Sequence, residues 1–462
     1  MKAFKTQNPY TGEIEAEYDA WTKEEIDEAF ERSYDAFLKY RETDIPTRCE
    51  RLRNVASILK ENRDEYAKLV VTEMGKTIKE ARGEVDRCAD YCEYYAKNAE
   101  ELLKDDHVKT AAEESYITYQ PIGPLMLVQP WNYPFWLAFK TVIPQLLVGN
   151  SVLVKNASNN PQCGAAMQKV YEEAGFEGVY QYAPIRSEDL ELAVSHKYCR
   201  GGSLTGSTVA GKSFGEICGR YAKKCVLELG GSDPFIVLDD ANLDKAADLG
   251  VKSRFKNNAQ ACTNAKRFIV HESVYDEYKQ KVIDILSKMK VGDPMDEKTD
   301  LGPLAKENSI KALRHQIKDT VDKGGKIGYG DEAQLEGDID ASKGFFFTPV
   351  ILEDIPEDSE AYREELFGPV LSFFKIKDDE EAIRLANDNQ YGLGGAVHTA
   401  DLERGKKFCL RVETGMMNVN SATGGSNVLP YGGIKNSGYG RESSVHGCRE
   451  FVNIKTVQIF KA

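Results

Sequence analysis

Residues 124–155 contain two short apolar runs, Pro124-Leu-Met-Leu-Val128 and Ser151-Val-Leu-Val-Lys155, separated by a loop and a helical stretch. Continuous apolar runs of this length are typical of strands in a parallel sheet that is covered on both faces. The segment between them can hold one crossover helix, so residues 124–155 predict a right-handed βαβ unit. Ligands of such sheets bind beyond the carboxyl ends of the strands. Asn132 and Lys155, which stand there, are therefore candidate site residues.

Alternating strands and helices continue beyond this unit. The run Gly178-Val-Tyr-Gln-Tyr182 predicts a third strand, and Pro234-Phe-Ile-Val-Leu238 opens a second α/β segment. This alternation predicts a doubly wound parallel sheet followed by another α/β domain. Residues 77–103 predict one long helix whose charges form a solvated face. Residues 115–120 and 447–460 alternate as strands do, and we expect the C-terminal one to lie against another surface, such as a second subunit.

The length, composition and net charge of the chain limit the kinds of protein that it can be. A chain of 462 residues is too long for one core, so two or three domains are expected. Its 60 basic and 74 acidic residues give a net charge of −14, which argues against nucleic acid or an anionic membrane as partner. The sequence shows no membrane-spanning run, signal peptide or Cys-x-x-Cys metal pair. Reduced thiols and these absences predict a cytoplasmic protein without a metal.

Cys262 stands in a polar stretch of the sequence. Three amide side chains precede it in the segment Asn257 to Gln260, and Lys266 and Arg267 follow it. The thiolate is the reactive form of cysteine, and polar, partly positive surroundings favour it. Cys262 is therefore a candidate nucleophile, although most free cysteines are small buried apolar residues and this local pattern leaves that alternative open.

Two further segments are candidate parts of a site. Glu228 ends an apolar run and precedes a double glycine, where a semi-buried carboxyl would have a raised pKa and could act as a base; an exposed glutamate is the alternative. Residues 201–208 are rich in Gly, Ser and Thr and precede a helix, whose first backbone N–H groups could hold a phosphate. The segment lacks the Gly-x-Gly-x-x-Gly spacing, so a turn with a helix cap is an equal alternative.

Seven motifs, in order along essentially the whole chain, resemble those of the aldehyde dehydrogenase superfamily. They are Pro130-Trp-Asn-Tyr-Pro134, Gly149-Asn-Ser-Val-Leu-Val-Lys155, Thr205-Gly-Ser-Thr208, Glu228-Leu-Gly-Gly231, Asn257 to Cys262, Glu364-Glu-Leu-Phe-Gly-Pro-Val370 and Pro430-Tyr-Gly-Gly-Ile-Lys-Asn-Ser-Gly-Tyr-Gly-Arg-Glu442.

The resemblance implies an α/β fold of three parts. A doubly wound parallel-sheet dinucleotide-binding domain is expected at residues 1–108 and 124–230, and an α/β catalytic domain at 231–428. A small β oligomerisation arm is expected at 109–123 and 447–462, in a homodimer or a homotetramer.

The resemblance also implies NAD(P)-dependent oxidation of an aldehyde to an acid. Cys262 would attack the aldehyde carbon, Asn132 and the backbone N–H of Cys262 would hold the oxyanion, and Glu228 would activate water. The residues that match cofactor-binding positions of the family are Trp131, Lys155, Ser158, Gly206, Ser207, Leu229, Gly230, Glu365 and Phe367. Ala259 departs from the family, which usually has glycine there.

Ser158 bears on the choice of cofactor. Many NAD-preferring members carry a glutamate at this position, three residues after the lysine, and that carboxylate would repel a 2′-phosphate. Ser158 is neutral and Lys155 supplies positive charge, so we expect NADP to be preferred over NAD.

The substrate implied by the resemblance is succinic semialdehyde, which would give succinate. The larger members of that activity class have arginine at two places where this chain has Lys140 and Lys256, and either lysine could instead face solvent. The candidate substrate residues are Tyr133, Trp136, Lys140, Lys256 and Ser426. Another phosphorylated or aliphatic aldehyde is the alternative. A non-catalytic nucleotide-binding relative is disfavoured because Cys262, Glu228 and Asn132 occur together.

Overall fold

The computed structural model describes residues 2–330 and 344–461. The described residues form helices α1 (Lys23–Tyr40), α2 (Ile45–Glu61), α3 (Arg63–Met74), α4 (Ile78–Lys97), α5 (Ala99–Leu103), α6 (Trp136–Val148), α7 (Pro161–Glu173), α8 (Leu190–Ser195), α9 (Thr208–Arg220), α10 (Leu243–Phe255), α11 (Tyr275–Leu286), α12 (Glu307–Asp322), α13 (Glu360–Arg363), α14 (Asp379–Asn387), α15 (Leu402–Arg411) and α16 (Ser444–Arg449).

The strands are β1 (Lys2–Gln7), β2 (Ile14–Asp19), β3 (Asp106–His107), β4 (Glu114–Pro121), β5 (Pro124–Val128), β6 (Ser151–Lys155), β7 (Tyr180–Tyr182), β8 (Gly201–Thr205), β9 (Lys224–Glu228), β10 (Asp233–Val237), β11 (Ala265–His271), β12 (Lys326–Tyr329), β13 (Val350–Glu353), β14 (Val370–Ile376), β15 (Tyr391–Gly392), β16 (Ala396–His398), β17 (Asn418–Val419), β18 (Ile434–Lys435), β19 (Gly438–Tyr439) and β20 (Val452–Ile459). A 3₁₀ turn spans Ser187–Asp189.

The first sheet has the strand order β19-β9-β8-β5-β6-β7. Strands β9, β8, β5, β6 and β7 are parallel, and β19 is antiparallel to β9. Strands β5, β6 and β8 are buried throughout because helices cover both faces, which explains their lack of alternation. The predicted β5-α6-β6 unit is confirmed. The carboxyl ends of β6, β8 and β9 therefore meet at one edge, which brings Lys155, Thr205 and Glu228 to the same side of the sheet.

The second sheet has the order β12-β13-β14-β11-β10-β16-β17. All of its neighbouring strands are parallel except β12, which is antiparallel to β13. Strand β10 begins five residues after Glu228 ends β9, and β11 begins three residues after Cys262. Glu228 thus stands where the chain crosses from the first sheet to the second, and Cys262 stands in the second α/β unit just before β11. The α/β class predicted from the strand pattern is confirmed.

The third sheet is antiparallel and has the order β20-β4-β3. Strand β20 pairs with β4 over eight residues, from Val452 opposite Pro121 to Ile459 opposite Glu114. The C-terminal strand thus has a hydrogen-bonded partner within its own chain, and its contact with a further surface such as a second subunit stays a prediction. Its N-terminal part is also different from the prediction, because residues Ser444–Arg449 form helix α16.

The predicted helix over 77–103 is wrong in two respects. Asn98 divides it into α4 and α5, and its charges do not all form a solvated face, since Glu84 is buried against α6. Residues 1, 331–343 and 462 fall within the predicted dinucleotide-binding, catalytic and arm ranges and lie outside the described residues. Among the residues that the structure describes, no helix combines the length and apolar character that crossing a bilayer requires.

Candidate functional site

Cys262 lies in a short segment between α10 and β11 whose backbone is held in an unusual conformation. Asn257, Asn258 and Ala259 have φ of 60°, 51° and 59°, the left-handed region that residues with a side chain seldom adopt. Such strain persists only where neighbours over-determine the conformation. The neighbours here bond to the two asparagines: the Asn257 N–H donates to a Glu80 carboxylate oxygen at 2.5 Å, and Asn258 Nδ2 donates to the Gly75 carbonyl at 2.7 Å.

The thiol of Cys262 is half-buried and contacts a phenol hydroxyl. Its Sγ is 3.2 Å from Tyr431 Oη, and Lys266 Nζ donates to the Cys262 carbonyl at 2.6 Å. Desolvation raises the pKa of the Cys262 thiol, while Lys140, the hydrogen bond with Tyr431 and Lys266 act in the opposite direction. The polar and positive surroundings expected from the sequence are thus present, although Lys140 and Tyr431 come from distant parts of the chain.

Asn132 links the loop after β5 to the Cys262 segment. The Asn132 side-chain Nδ2 donates to the Gln260 backbone carbonyl at 2.9 Å. The backbone carbonyl of Asn132 accepts a bond from Asn257 Nδ2 at 2.7 Å. An amide nitrogen carries two hydrogens, so one remains for a ligand beside the nucleophile. The structure therefore brings Asn132 and the Cys262 segment together, as the sequence predicts.

Glu228 is buried at the end of β9, where neither of its carboxylate oxygens has a hydrogen-bond partner among the described residues. Desolvation and, next, the carboxylate of Glu442 raise its pKa well above the usual glutamate value, against the opposing effects of Lys140 and Arg441. Gly432 faces one carboxylate oxygen so closely that a side chain there would have to displace it. A buried carboxyl whose pKa is raised in this way is a stronger base than an exposed glutamate.

Lys140 is buried on α6 and 2% exposed. Its Nζ is 2.5 Å from a Glu442 carboxylate oxygen and 3.6 Å from the centroid of the Tyr431 ring. The alternative of a solvent-facing lysine is therefore wrong for Lys140, whose charge is already matched by Glu442, whereas Lys256 is exposed. The start of helix α6 is held by a side chain of α4. The Glu84 carboxylate accepts bonds from the backbone N–H groups of Phe135 and Trp136, both at 2.9 Å.

A narrow cavity of about 30 Å³ opens beside Cys262. Besides Lys140, its wall contains two cations, Arg87 of α4 and Lys256, and neither forms an ion pair within the described residues. The Arg87 guanidinium stacks on Trp136, with Cζ 3.7 Å from the ring centroid. The remaining lining residues are Tyr133, Trp136, Leu137, Ala261, Thr263, Gly425, Tyr431 and Ser443. The cavity can thus present positive charge and aromatic surface to a small molecule that reaches Cys262.

A second group of residues lies where the cofactor is expected. The Phe367 ring meets the edge of Trp131 at 5.6 Å, and Lys306 Nζ lies 5.4 Å from the Trp131 ring centroid. Desolvation lowers the pKa of Lys155 to about 8, and desolvation together with the nearby Lys155 charge lowers the pKa of Lys306 to about 8. Two neighbouring cations without an acidic partner in the described part of the chain are suited to an anionic group.

The segment 205–208 turns from β8 into α9. The Ser207 hydroxyl caps the helix by accepting from the Ala210 N–H at 3.3 Å, so the predicted helix cap is confirmed. A side chain at Gly206 would meet only Leu204, at 3.3 Å, so the backbone there is open to a ligand. Leu229 is buried against the first sheet, whereas a side chain at Gly230 would collide with the Glu365 carboxylate.

Comparison with known proteins identifies the family of the chain. The sequence model described as the Aldehyde dehydrogenase family matches residues 1–457. The chain belongs to the aldehyde dehydrogenase family. It is 41% identical over 458 residues to a probable NADP(+) succinate-semialdehyde dehydrogenase of Synechocystis, covering 99% of this chain and all of that one. It is 39% identical over 460 residues to the NADP(+) succinate-semialdehyde dehydrogenase of Deinococcus radiodurans, covering 99% and 95% of the two chains.

A solved structure in the family is closely similar. The succinic semialdehyde dehydrogenase of Streptococcus pyogenes, determined with NADP+ as the cofactor, superimposes with a TM-score of 0.96 at 38% sequence identity, covering 99% of this chain and all of that one. The present chain is therefore an aldehyde dehydrogenase in sequence and in fold, and it is an enzyme of the oxidoreductase class.

Two predicted positions of this aldehyde dehydrogenase lie at the margins of the site. Ser158 is exposed in the loop after β6, and its carbonyl accepts a bond from the Lys5 N–H at 2.9 Å. Ser426 is partly buried and accepts a bond from the Val428 N–H at 3.3 Å, and its neighbour Gly425 lines the cavity instead.

Sequence reasoning missed Arg87, Lys306, Tyr431 and Glu442 in this aldehyde dehydrogenase. Arg87 was included in a solvated helix face, and nothing in its local sequence separates it from the exposed charges of α4. Tyr431 and Glu442 stand within a quoted family motif, so a closer reading of that motif would have pointed to both.

Proposed function

We propose that this enzyme oxidises succinic semialdehyde to succinate with NADP as the preferred hydride acceptor and NAD as the second. The observation that carries the substrate assignment is the pair of unmatched cations, Arg87 and Lys256, in the wall of the cavity that reaches Cys262. The names of the Synechocystis, Deinococcus and Streptococcus relatives agree with it.

The charge pattern of the cavity favours an aldehyde that carries an anion at its far end. Arg87 presents a planar fork that suits a carboxylate, and it is already ordered by stacking on Trp136. Desolvation lowers the pKa of Lys256 and the Arg87 charge lowers it further, while the Glu80 carboxylate acts in the opposite direction. Because Glu442 matches the charge of Lys140, we assign the carboxylate to Arg87 and Lys256 and keep Lys140 as a wall residue.

The reacting groups perform the chemistry in two stages. Cys262 Sγ adds to the aldehyde carbon, and the free amide hydrogen of Asn132 with the Cys262 N–H stabilises the oxyanion of the thiohemiacetal. Bound NADP supplies the acceptor for the hydride. Glu228 then takes the proton of the water that attacks the Cys262 thioester, a role for which its raised pKa suits it.

The chain's own residues fit NADP. The rings of Trp131 and Phe367 pack edge to face. Glu365 lies beside Gly230, where a side chain would collide with the Glu365 carboxylate. The unmatched Lys155 and Lys306 and the neutral Ser158 suit an extra phosphate group. The open backbone at Gly206 and the start of α9 at Ser207 suit the pyrophosphate.

Initial rates of cofactor reduction test this proposal. With succinic semialdehyde, kcat/KM is expected to be at least about tenfold higher with NADP than with NAD, the effect of one good charge-assisted contact. With NADP as the cofactor, kcat/KM is expected to be at least about tenfold higher for succinic semialdehyde than for hexanal, because the uncharged tail of hexanal leaves Arg87 and Lys256 unpaired. A tenfold preference for NAD would refute the cofactor assignment. A preference for hexanal or for a phosphorylated aldehyde would refute the substrate assignment.

Replacing Arg87 by methionine tests the carboxylate contact directly. We expect kcat/KM for succinic semialdehyde to fall about 10- to 100-fold, because a charge-assisted bond is lost, with hexanal oxidation nearly unchanged. Arg82→Met is the matched control, since Arg82 lies on the same helix and pairs outward with Asp64 and Glu297. Equal losses with both aldehydes in the Arg87 variant would contradict the assignment.

We also propose that the protein is cytoplasmic and that its domains have the ranges expected from the family resemblance. We propose a homodimer or homotetramer that uses the arm formed by residues 109–123 and 447–462. The exposed apolar side chains of Ile454, Ile459 and Phe460 support this, because large apolar groups grouped on a surface usually mark an interface. Light scattering on the eluting protein measures the mass of the assembly.

A further inference from the structure

We propose that the Tyr431 hydroxyl donates a hydrogen bond to the Cys262 thiolate of the free enzyme and so sets how much thiolate is present near neutral pH. The inference rests on the proposed role of Cys262 as nucleophile. It gives Tyr431 a catalytic role, because the hydroxyl touches the reacting sulfur.

The contact is direct and enclosed. Tyr431 Oη lies 3.2 Å from Cys262 Sγ, and Tyr431 is only 7% exposed. Both residues line the same cavity, so the hydroxyl faces the space that the aldehyde enters. Water competes poorly for the sulfur in such a narrow site, and hydrogen bonds to an ion are stronger there than in bulk solvent.

Two contacts hold the phenol in this position. The backbones of Tyr431 and Glu442 exchange two hydrogen bonds of 2.8 Å, which fixes the Cα of Tyr431. Lys140 Nζ lies 3.6 Å from the ring centroid and is itself fixed by Glu442. A cation over the ring face is attracted to the π-system and draws electron density from the hydroxyl, which improves it as a donor.

The hydroxyl keeps its proton, so it can only donate to an ionised sulfur. Burial raises the pKa of Tyr431 well above its ordinary value, and the nearby Cys262 and Glu228 raise it further. When Cys262 ionises, its proton leaves for solvent and the Tyr431 O–H bond stays intact. The other charged or titratable groups that act on Cys262 are Lys140, Lys266, Glu365, Lys256 and Tyr133.

A donor of this kind has opposite effects on the amount and the reactivity of the thiolate. A hydrogen bond to a charged group changes an ionisation equilibrium by about tenfold or more. Thiolate nucleophilicity falls as the thiol pKa falls, with a Brønsted slope of about 0.4–0.5, so a tenfold gain in thiolate is offset about threefold. Loss of the hydroxyl should therefore slow the reaction of Cys262 at pH values below its thiol pKa and accelerate it at pH values above that pKa.

The test is the rate at which Cys262 reacts with 2,2′-dithiodipyridine as a function of pH. The probe is small and uncharged, and the reaction gives a mixed disulfide and thiopyridone, whose absorbance is followed. A Cys262→Ser variant supplies the background from the other nine cysteines. We expect Tyr431→Phe to react about threefold more slowly near neutral pH and about threefold faster at high pH, with the midpoint moved up by about one pH unit.

Tyr171→Phe is the matched control. Tyr171 is fully buried, and its hydroxyl has no hydrogen-bond partner among the described residues, so its loss should leave the profile of Cys262 unchanged. A reactive Cys262 with identical profiles in wild type and Tyr431→Phe would overturn this inference alone. A wild-type Cys262 that does not react at any pH would overturn the proposed nucleophile, and this inference with it.

Discussion

Replacing Cys262 by alanine is expected to lower kcat/KM for aldehyde oxidation by a factor on the order of 10⁴–10⁶, as the loss of a covalent nucleophile does in other enzymes. No other cysteine can substitute, because Cys262 alone among the ten lines the cavity that Arg87 and Lys256 share. Rapid-mixing measurements should show neither a burst of reduced cofactor nor steady turnover.

The control for this variant is Cys409→Ala. Cys409 is half-buried on α15, so this change also removes a partly accessible thiol, and it should leave the rate unchanged. Binding of NADP should survive in the Cys262 variant, because the cofactor contacts proposed above do not include the sulfur. Turnover within tenfold of wild type would show that another group attacks the aldehyde.

The second large effect is expected for Glu228→Gln, which should slow steady-state turnover about 10²–10⁴-fold, the usual contribution of a general base. The first stage does not need the carboxylate, so mixing with aldehyde should still reduce about one equivalent of cofactor per site before the reaction stalls as a thioester. Mass spectrometry of the stalled enzyme would show the acyl group on Cys262. If the variant loses both the burst and steady-state turnover, Glu228 serves the first stage instead.

The same variant has a predicted effect on stability. The pKa of Glu228 is raised in the folded chain, so the folded state binds this proton more tightly than the unfolded state. Stability is therefore lost as the pH rises from the ordinary glutamate range through the raised pKa. Glutamine removes this dependence, so the Tm of Glu228→Gln should exceed that of wild type at about pH 8 and approach it near pH 4.5. A difference in Tm that is independent of pH would contradict the raised pKa.

The fold and the reacting groups could be predicted from the sequence because they depend on local pattern. Strands β5 and β6 are buried on both faces, and their continuous apolar runs follow directly from that burial. Asn132 and Glu228 stand at strand ends, where parallel sheets place their ligands. The roles assigned to these residues came from the resemblance to the aldehyde dehydrogenase superfamily, and they stay predictions.

The surroundings of the reacting groups could not be predicted, because they depend on contacts between distant elements. Lys140 looks like Lys256 in sequence, yet the buried Glu442 matches the charge of one and leaves the other unmatched. Arg87 belongs to a helix rich in exposed charge, and only the packing of α4 against α6 brings it to Trp136. The family motif at 430–442 marks Glu442 as a site residue, but nothing in a single sequence shows that it pairs with Lys140 rather than with Lys256.

The segment 430–442 has a consequence for how the enzyme is made. Tyr431 reaches back 169 residues to Cys262, and Ser437 donates to the Gly230 carbonyl 207 residues earlier, while β19 completes the edge of the first sheet. Contacts this distant in sequence carry a large loop-closure cost and slow folding. During synthesis the five parallel strands of the first sheet emerge before this segment does, and at that stage the nucleophile pocket still lacks one wall. The thiol of a nascent chain therefore waits without its phenol partner until almost the last residues have emerged.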